Sequence, residues 1–288
     1  MKWEDYPIEK ITLKDKEYPK ILKKIADPPK ALYFRGSLRS NLFKKSLAVV
    51  GARRMTRYGH EVIERFIPDL VANGVTIVSG FMYGVDTVAH TEVVQNQGIT
   101  VAVLGSGINT CYPPENDKLY TKILLGDGLV LSEFPPEVKP KLWMYPRRNR
   151  IVSGLSSLGT LVVEAGGKSG SLITANFALE QKRNVYAVPG PITSSVSMGT
   201  NNLIKTGQAK LVVNAADILG TPTNKKELSD MVLNPLEEKI YKSLKREPLS
   251  VDELAVDTGE ALVEIAKATS LMSLKGLITE AAGKYYPS

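Results

Sequence analysis

The 288-residue chain holds a single cysteine, Cys111, two histidines, His60 and His90, and two tryptophans. One thiol cannot close a disulfide within the chain or supply paired thiolates to a zinc ion, and two histidines leave metal chemistry short of ligands. No metal and no cofactor is therefore expected. Long apolar runs are missing too: nothing approaches the about 20 consecutive apolar residues of a membrane-crossing helix, and residues 1–10 lack the apolar core of a secretory signal. These absences point to a cytoplasmic protein with no membrane partner. Disorder is not expected either, because 43% of the residues are apolar and 23% charged, a balance that can bury a core.

Acidic side chains are in deficit, which leaves a net charge of +7. The excess is uneven: residues 1–40 hold 10 basic against 6 acidic residues, 41–224 hold 18 against 13, and 225–288 hold 9 against 11. A basic front and middle suit a polyanionic partner. An acidic C-terminal piece suits a protein partner better than duplex DNA.

From Ser46 onward, short Val-, Ile- and Leu-rich runs alternate with helix-length segments. That is the pattern of a doubly wound, mostly parallel sheet with helices on both faces. Strands are predicted at 47–50, 75–79, 100–104, 129–132, 160–163, 185–188 and 211–213. Helices are predicted at 59–73, 85–97, 116–125, 171–182 and 201–206, with a short one after Arg147; Gly74, Gly98 and Gly207 stand where a left-handed residue ends a helix. Residues 1–40 read as a lysine-rich helical extension packed on the core, and 221–234 as a linker. Residues 235–288 have the order of three helices and a small hairpin, a winged-helix-like domain. The predicted fold class is thus α/β, an extended Rossmann-type domain over 41–220 followed by a small winged-helix domain.

Six of the eleven arginines fall in two clusters, Arg53, Arg54 and Arg57 after the first strand, and Arg147, Arg148 and Arg150 after a proline-rich loop. Both belong at the carboxyl edge of the sheet, where doubly wound folds bind ligands; Gly51 would let a ligand approach the backbone, and the next helix would offer its N-terminus. Guanidinium groups grip phosphate and stack on bases. The plainer alternative pairs these arginines with Glu61, Glu64 or Glu133. A third element, Gly166 to Ser171 with Lys168, precedes a helix and forms an anion cradle. Its spacing is not that of a nucleotide-triphosphate loop, since Val162 stands where the first glycine belongs. The Gly105-Ser106-Gly107 run lacks the third glycine of a dinucleotide site.

Tyr58, Tyr83, Tyr112, Phe134, Trp143 and Tyr145 lie near these loops and could stack on unpaired bases, though core packing is the commoner fate of an aromatic ring. Asp86 and His90, four apart on one helix, could form an acid–base pair; a cap or structural hydrogen bond is the simpler reading. Glu133 and Glu164 end buried strands with no nucleophile beside them, so no catalytic set can be assembled.

At these motifs the chain resembles the DprA/Smf family, over nearly its whole length. The resemblance is carried by Asp27-Pro28-Pro29, Val49-Val50-Gly51-Ala52-Arg53, Ser79-Gly80 to Gly84-Val85-Asp86 with Ala89-His90, and Tyr112-Pro113 with Asn116. Glu133-Phe134-Pro135-Pro136, Arg148-Asn149-Arg150-Ile151, Ser169-Gly170-Ser171-Leu172-Ile173-Thr174 and Gly199-Thr200-Asn201 extend it. It implies a non-enzymatic protein that binds and protects incoming single-stranded DNA during natural transformation, loads RecA recombinase onto it, and forms a homodimer. The DNA contacts so implied are Gly51, Arg53, Arg54, Arg147, Arg148, Asn149, Arg150, Lys168, Ser169, Gly170, Ser171 and Thr174. Met82 and Tyr83 depart from the family pattern, exchanging a basic residue for a ring, and the N-terminal helical module of some relatives looks absent. About five neutralised phosphates would give a log–log salt slope near −3.5. One rival is a nucleotide hydrolase of the lysine-decarboxylase-like group, suggested by Gly159-Thr160 and Glu164, although Glu164 comes one residue late for that motif. A winged-helix regulator of duplex DNA is another.

Overall fold

The computed structural model describes residues 2–39, 41–220, 233–274, 277–281 and 283–287. The chain divides into two compact units, Met1–Pro222 and Thr223–Ser288. In the first, the strands are β1 (Glu9–Thr12), β2 (Ala31–Gly36), β3 (Ser46–Val50), β4 (Thr76–Ser79), β5 (Thr100–Val103), β6 (Leu129–Ser132), β7 (Gly159–Val162), β8 (Val185–Ala187) and β9 (Lys210–Leu211). The helices are α1 (Arg57–Ala72), α2 (Val85–Gln95), α3 (Asp117–Leu125), α4 (Met144–Gly154), α5 (Gly170–Glu180), α6 (Met198–Lys205) and α7 (Ala216–Leu219).

These strands form one sheet in the order β1-β2-β6-β5-β4-β3-β7-β8-β9, parallel from β6 through β9. The chain winds outward from β3 to β6, then returns to lay β7 on the other flank of β3. The order therefore reverses between β3 and β7, and the crevice beyond their carboxyl ends is the position where such sheets take ligands. Strand alternation sorts the core into layers. Ala48, Val50, Val101 and Val103 face Ile151 and Val152 of α4 and Ala175 and Ala178 of α5. On the opposite face Leu47, Val49, Ile77 and Leu161 meet α1 and α2, while Ala102 and Val130 meet Tyr120 and Ile123 of α3.

The N-terminal extension is not the helical segment predicted. β1 pairs antiparallel with β2, and β2 pairs antiparallel with β6, so the extension lengthens the sheet by two strands. Its partly buried pattern, with Leu32, Phe34 and Ile11 inward, was hidden by the surrounding lysines. Buried Arg35 fixes the entry of the chain by donating to the carbonyls of Trp3, Glu4 and Tyr6 and lying 5.3 Å from the centre of the Trp3 ring.

The second unit has α8 (Pro235–Leu244), α9 (Val251–Thr258) and α10 (Leu262–Leu274), then a hairpin of β10 (Ile278–Ala281) and β11 (Lys284–Pro287). Reciprocal caps start two of its helices: Asn234 with Glu237, and Ser250 with Glu253. Ile240, Leu254, Ile265, Met272, Ile278 and Tyr285 form its core. Residues 221–232 of the predicted linker lie outside the described residues.

His90 illustrates how the interior sets protonation. Its Nδ1 is 2.7 Å from the Thr100 hydroxyl, which itself donates to the Ile77 carbonyl at 2.9 Å, so Nδ1 bears the ring hydrogen. Burial, with the nearby positive charge of Arg148, pushes its pKa down to about 3 from 6.5. Between those values the unfolded chain takes up a proton that the folded chain refuses, so this residue's contribution to stability is full at neutral pH and is lost as pH falls through the window. The melting temperature should fall below pH 6.5 more steeply in the native protein than in His90→Leu; parallel curves would reject the assignment.

Candidate nucleic-acid interface

Beyond the carboxyl ends of β3, β4 and β7 lies an open cavity of about 360 Å³, walled by the loop after β3, the loop between β4 and α2, and the starts of α4 and α5. Nine of the twelve sequence-predicted residues line it: Gly51, Arg53, Arg54, Arg148, Asn149, Ser169, Gly170, Ser171 and Thr174. Arg53 and Arg54 are exposed, whereas Arg148 is only 4% exposed and forms part of the floor. Ser169 caps α5 by accepting from the Ser171 amide, which leaves the start of this 11-residue helix directed at the cavity.

Three predicted contacts are placed elsewhere. The helix carrying the second arginine cluster begins at Met144, so Arg147 and Arg150, three apart, share one face, and Arg148 points about 100° from Arg147 and about 160° from Arg150. Arg150 donates to both Glu133 oxygens at 2.7 Å and to Asp27 at 3.0 Å; Arg147 lies 3.5 Å from Glu133 and 3.6 Å from Asp27. Burial alone would disfavour the Arg150 charge, but the bonds and charges of Glu133 and Asp27 outweigh it and raise its pKa. These two side chains therefore tie α4 to the N-terminal extension; the plainer alternative foresaw the pairing with Glu133 but not Asp27 or the burial of Arg150. Lys168 is exposed and does not line the cavity. Arg57, also from the first cluster, pairs with Glu61 at 2.8 Å on the surface.

A fourth correction concerns α1. Its N-terminus is not open to a ligand, because Glu164, 2% exposed, accepts from the backbone amide of Thr56 at 2.9 Å and from the Thr56 hydroxyl. The chain's own carboxylate fills the anion position of that helix, which also commits the residue that the nucleotide-hydrolase reading needs. Gly51 serves packing as well as access: a Cβ there would come within 2.5 Å of Val85 on α2.

Gly80, Met82 and Asp86 also line the cavity, although sequence did not single them out as contacts. Asp86, at the start of α2, accepts from the amides of Phe81 at 3.3 Å and Met82 at 3.2 Å rather than from His90. These bonds hold Phe81 at a φ of 119°, a region strained for any residue with a side chain. Burial raises the Asp86 carboxyl pKa, against the opposing pull of Arg148. Gly80 makes room for both, since a Cβ there would collide with Asp86 and stand 2.7 Å from each terminal nitrogen of Arg148. Only the three-dimensional convergence of β4, α2 and α4 reveals this arrangement.

Three of the six aromatic candidates form a chain along the rim. Tyr83 and Tyr112 have ring centres 6.4 Å apart, Tyr112 and Tyr145 6.3 Å apart, and the Arg53 guanidinium lies 5.4 Å from the Tyr145 ring centre. Tyr83 stays 40% exposed while its neighbour Met82 is buried. Phe134 is buried in edge contact with Trp143, and Tyr58 donates to the Pro189 carbonyl at 2.6 Å. Among the described residues, no group of three or more His, Cys, Asp or Glu side chains could hold a metal ion, and no helix is long and apolar enough to cross a membrane.

Fold and cleft together define a Rossmann-type α/β protein whose ligand crevice is lined by arginines and a helix start instead of a dinucleotide fingerprint. Residues 9–222 match the family model for DNA recombination-mediator protein A, and the chain belongs to that family. It is 39% identical to Protein Smf of Escherichia coli over 98% of this chain and 78% of that one, and 40% identical to DNA processing protein DprA of Bacillus subtilis over 73% and 70%. The crystal structure of DNA processing protein A from Streptococcus pneumoniae superposes with a TM-score of 0.68 at 40% identity, covering 76% of this chain and 75% of that one. The Helicobacter pylori protein, described for its single-stranded DNA binding mode, gives 0.67 at 29% identity over 77% and 97%.

Proposed function

We propose that this protein binds single-stranded DNA in the cleft at the β3–β7 reversal, acts without catalysing a reaction, and serves as a cytoplasmic mediator. In that role it protects incoming DNA during natural transformation and passes it to RecA recombinase, working as a homodimer. The observation that carries the reading is the convergence of Arg53, Arg54 and Arg148 with the start of α5 around one cavity. Phosphates meet guanidinium forks and bare amide hydrogens there, and the Tyr83–Tyr112–Tyr145 rim offers faces to unpaired bases, which a duplex keeps stacked inside. The committed oxygens of Glu164 support a binding role over hydrolysis. The relatives, one named for DNA processing and one described for single-stranded DNA binding, support the ligand class. The C-terminal unit, with its acidic balance, is assigned to protein contacts.

With Arg53 and Arg54 exposed at the cleft and Arg148 buried beside Asp86, in place of the larger set expected from sequence, about two fully neutralised phosphates give a log–log salt slope near −1.4. Affinity for a labelled single-stranded oligonucleotide should therefore fall roughly 7-fold between about 50 and 200 mM salt, and a duplex of the same sequence should bind more weakly at both. A salt-independent affinity, or tighter duplex binding, would overturn the reading.

A further inference from the structure

We propose that Asp86 is the cleft's built-in counter-charge and a positioning residue: it offsets the charge of Arg148 while the cleft is empty, and weakens the protein's grip on phosphate. The inference rests on the reading of the cleft as the single-strand site.

The geometry is specific. Arg148 is held from below by a hydrogen bond to the Val103 carbonyl at the end of β5, and it flanks Gly80 together with Asp86. No hydrogen bond or direct ion pair joins the two side chains; the carboxylate spends its bonds on the Phe81 and Met82 amides. The Arg148 Nε is buried without a partner. A buried guanidinium with hydrogen-bonding capacity to spare, on the floor of a cavity that the start of α5 also faces, is set to receive a phosphate oxygen. A carboxylate beside it lets the cation remain buried when no ligand is present. The same carboxylate repels the arriving phosphate, and Arg53, a like charge near Arg148, adds to the need for a counter-ion. Asp86 therefore acts on the ligand through Arg148 and through the Gly80–Met82 turn.

Asp86→Asn keeps the size and an acceptor oxygen for the two amides but removes the charge. It should bind a single-stranded oligonucleotide roughly 10-fold more tightly, with a salt slope steeper by about 0.7 as Arg148 becomes a full phosphate partner. A residue that merely shaped the turn would leave the slope unchanged and could only weaken binding. Unchanged or weaker affinity with an unchanged slope overturns the proposal. If Asp86→Asn does not fold, the pair Asp86→Asn with Arg148→Gln decides, because it has the net charge of the native site. Clearly weaker binding by the pair shows that Arg148 reaches the phosphate, and native affinity shows that it does not. Arg53→Ala, measured beside them, separates the two levels: no effect there rejects the cleft itself, whereas a loss there with no effect of Asp86→Asn rejects only the counter-charge.

Discussion

Arg150→Ala should destabilise the protein by about 3 kcal/mol, the cost of taking from a buried carboxylate both of its charge-assisted hydrogen bonds and leaving it only the longer contact to Arg147, which lowers the melting temperature by roughly 10 °C in a unit of this size. The side chains of Arg150 and Glu133 are 6% and 8% exposed, so solvent cannot take over the stranded charge. The salt slope of single-strand binding, measured at a temperature where the variant is folded, should stay near its native value. Arg150→Met combined with Glu133→Gln, which removes both charges, should recover most of the lost stability. A single variant as stable as the native protein, or one with a flattened salt slope, would return Arg150 to the list of DNA contacts.

Arg53→Ala together with Arg54→Ala should have the opposite signature. Both side chains are exposed at the cleft, and Arg53 meets only the Tyr145 ring among the contacts described for it, so the melting temperature should change little. At about 1.5 kcal/mol for each charge-assisted contact, affinity for a single strand should fall on the order of 100-fold at low salt, and the slope should flatten by about 1.4. Binding that survives both substitutions at native strength would place the DNA elsewhere on the molecule.

Six of the seven parallel strands, β3 to β8, were legible because each is buried throughout and lies in a Val-, Ile- or Leu-rich run between helix-length segments; the seventh, β9, is exposed and shares only Leu211 with the predicted 211–213. β1 and β2 were not legible, since the edge strand β1 and its neighbour β2 are of mixed burial and, broken by Lys10 and Arg35, carry no such run. In the cleft, the residue types and their chain positions identified Arg53, Arg54, Arg148 and the Ser169–Thr174 turn. Spacing could not show which way each arginine points. Arg148 and Arg150 are two apart and identical in kind, yet helical geometry sends one to the ligand side and the other to Glu133 and Asp27. Likewise the open helix start expected at α1 is filled by Glu164, a residue more than 100 positions away in the chain. Asp86 drew notice only through its spacing to His90, and its tie to Arg148 exists only once β4, α2 and α4 converge.

The clasp between Asp27, Arg150 and Glu133 has a mechanical corollary. α4 is gripped from behind by the first 40 residues while it offers Arg148 and Asn149 in front, so the floor of the cleft comes to its ligand already aimed and loses little freedom on capture. On the proposed reading, a nick by a protease in the segment between β1 and β2, which carries Asp27, would slacken that helix from the rear and be felt first as faster release of a bound single strand.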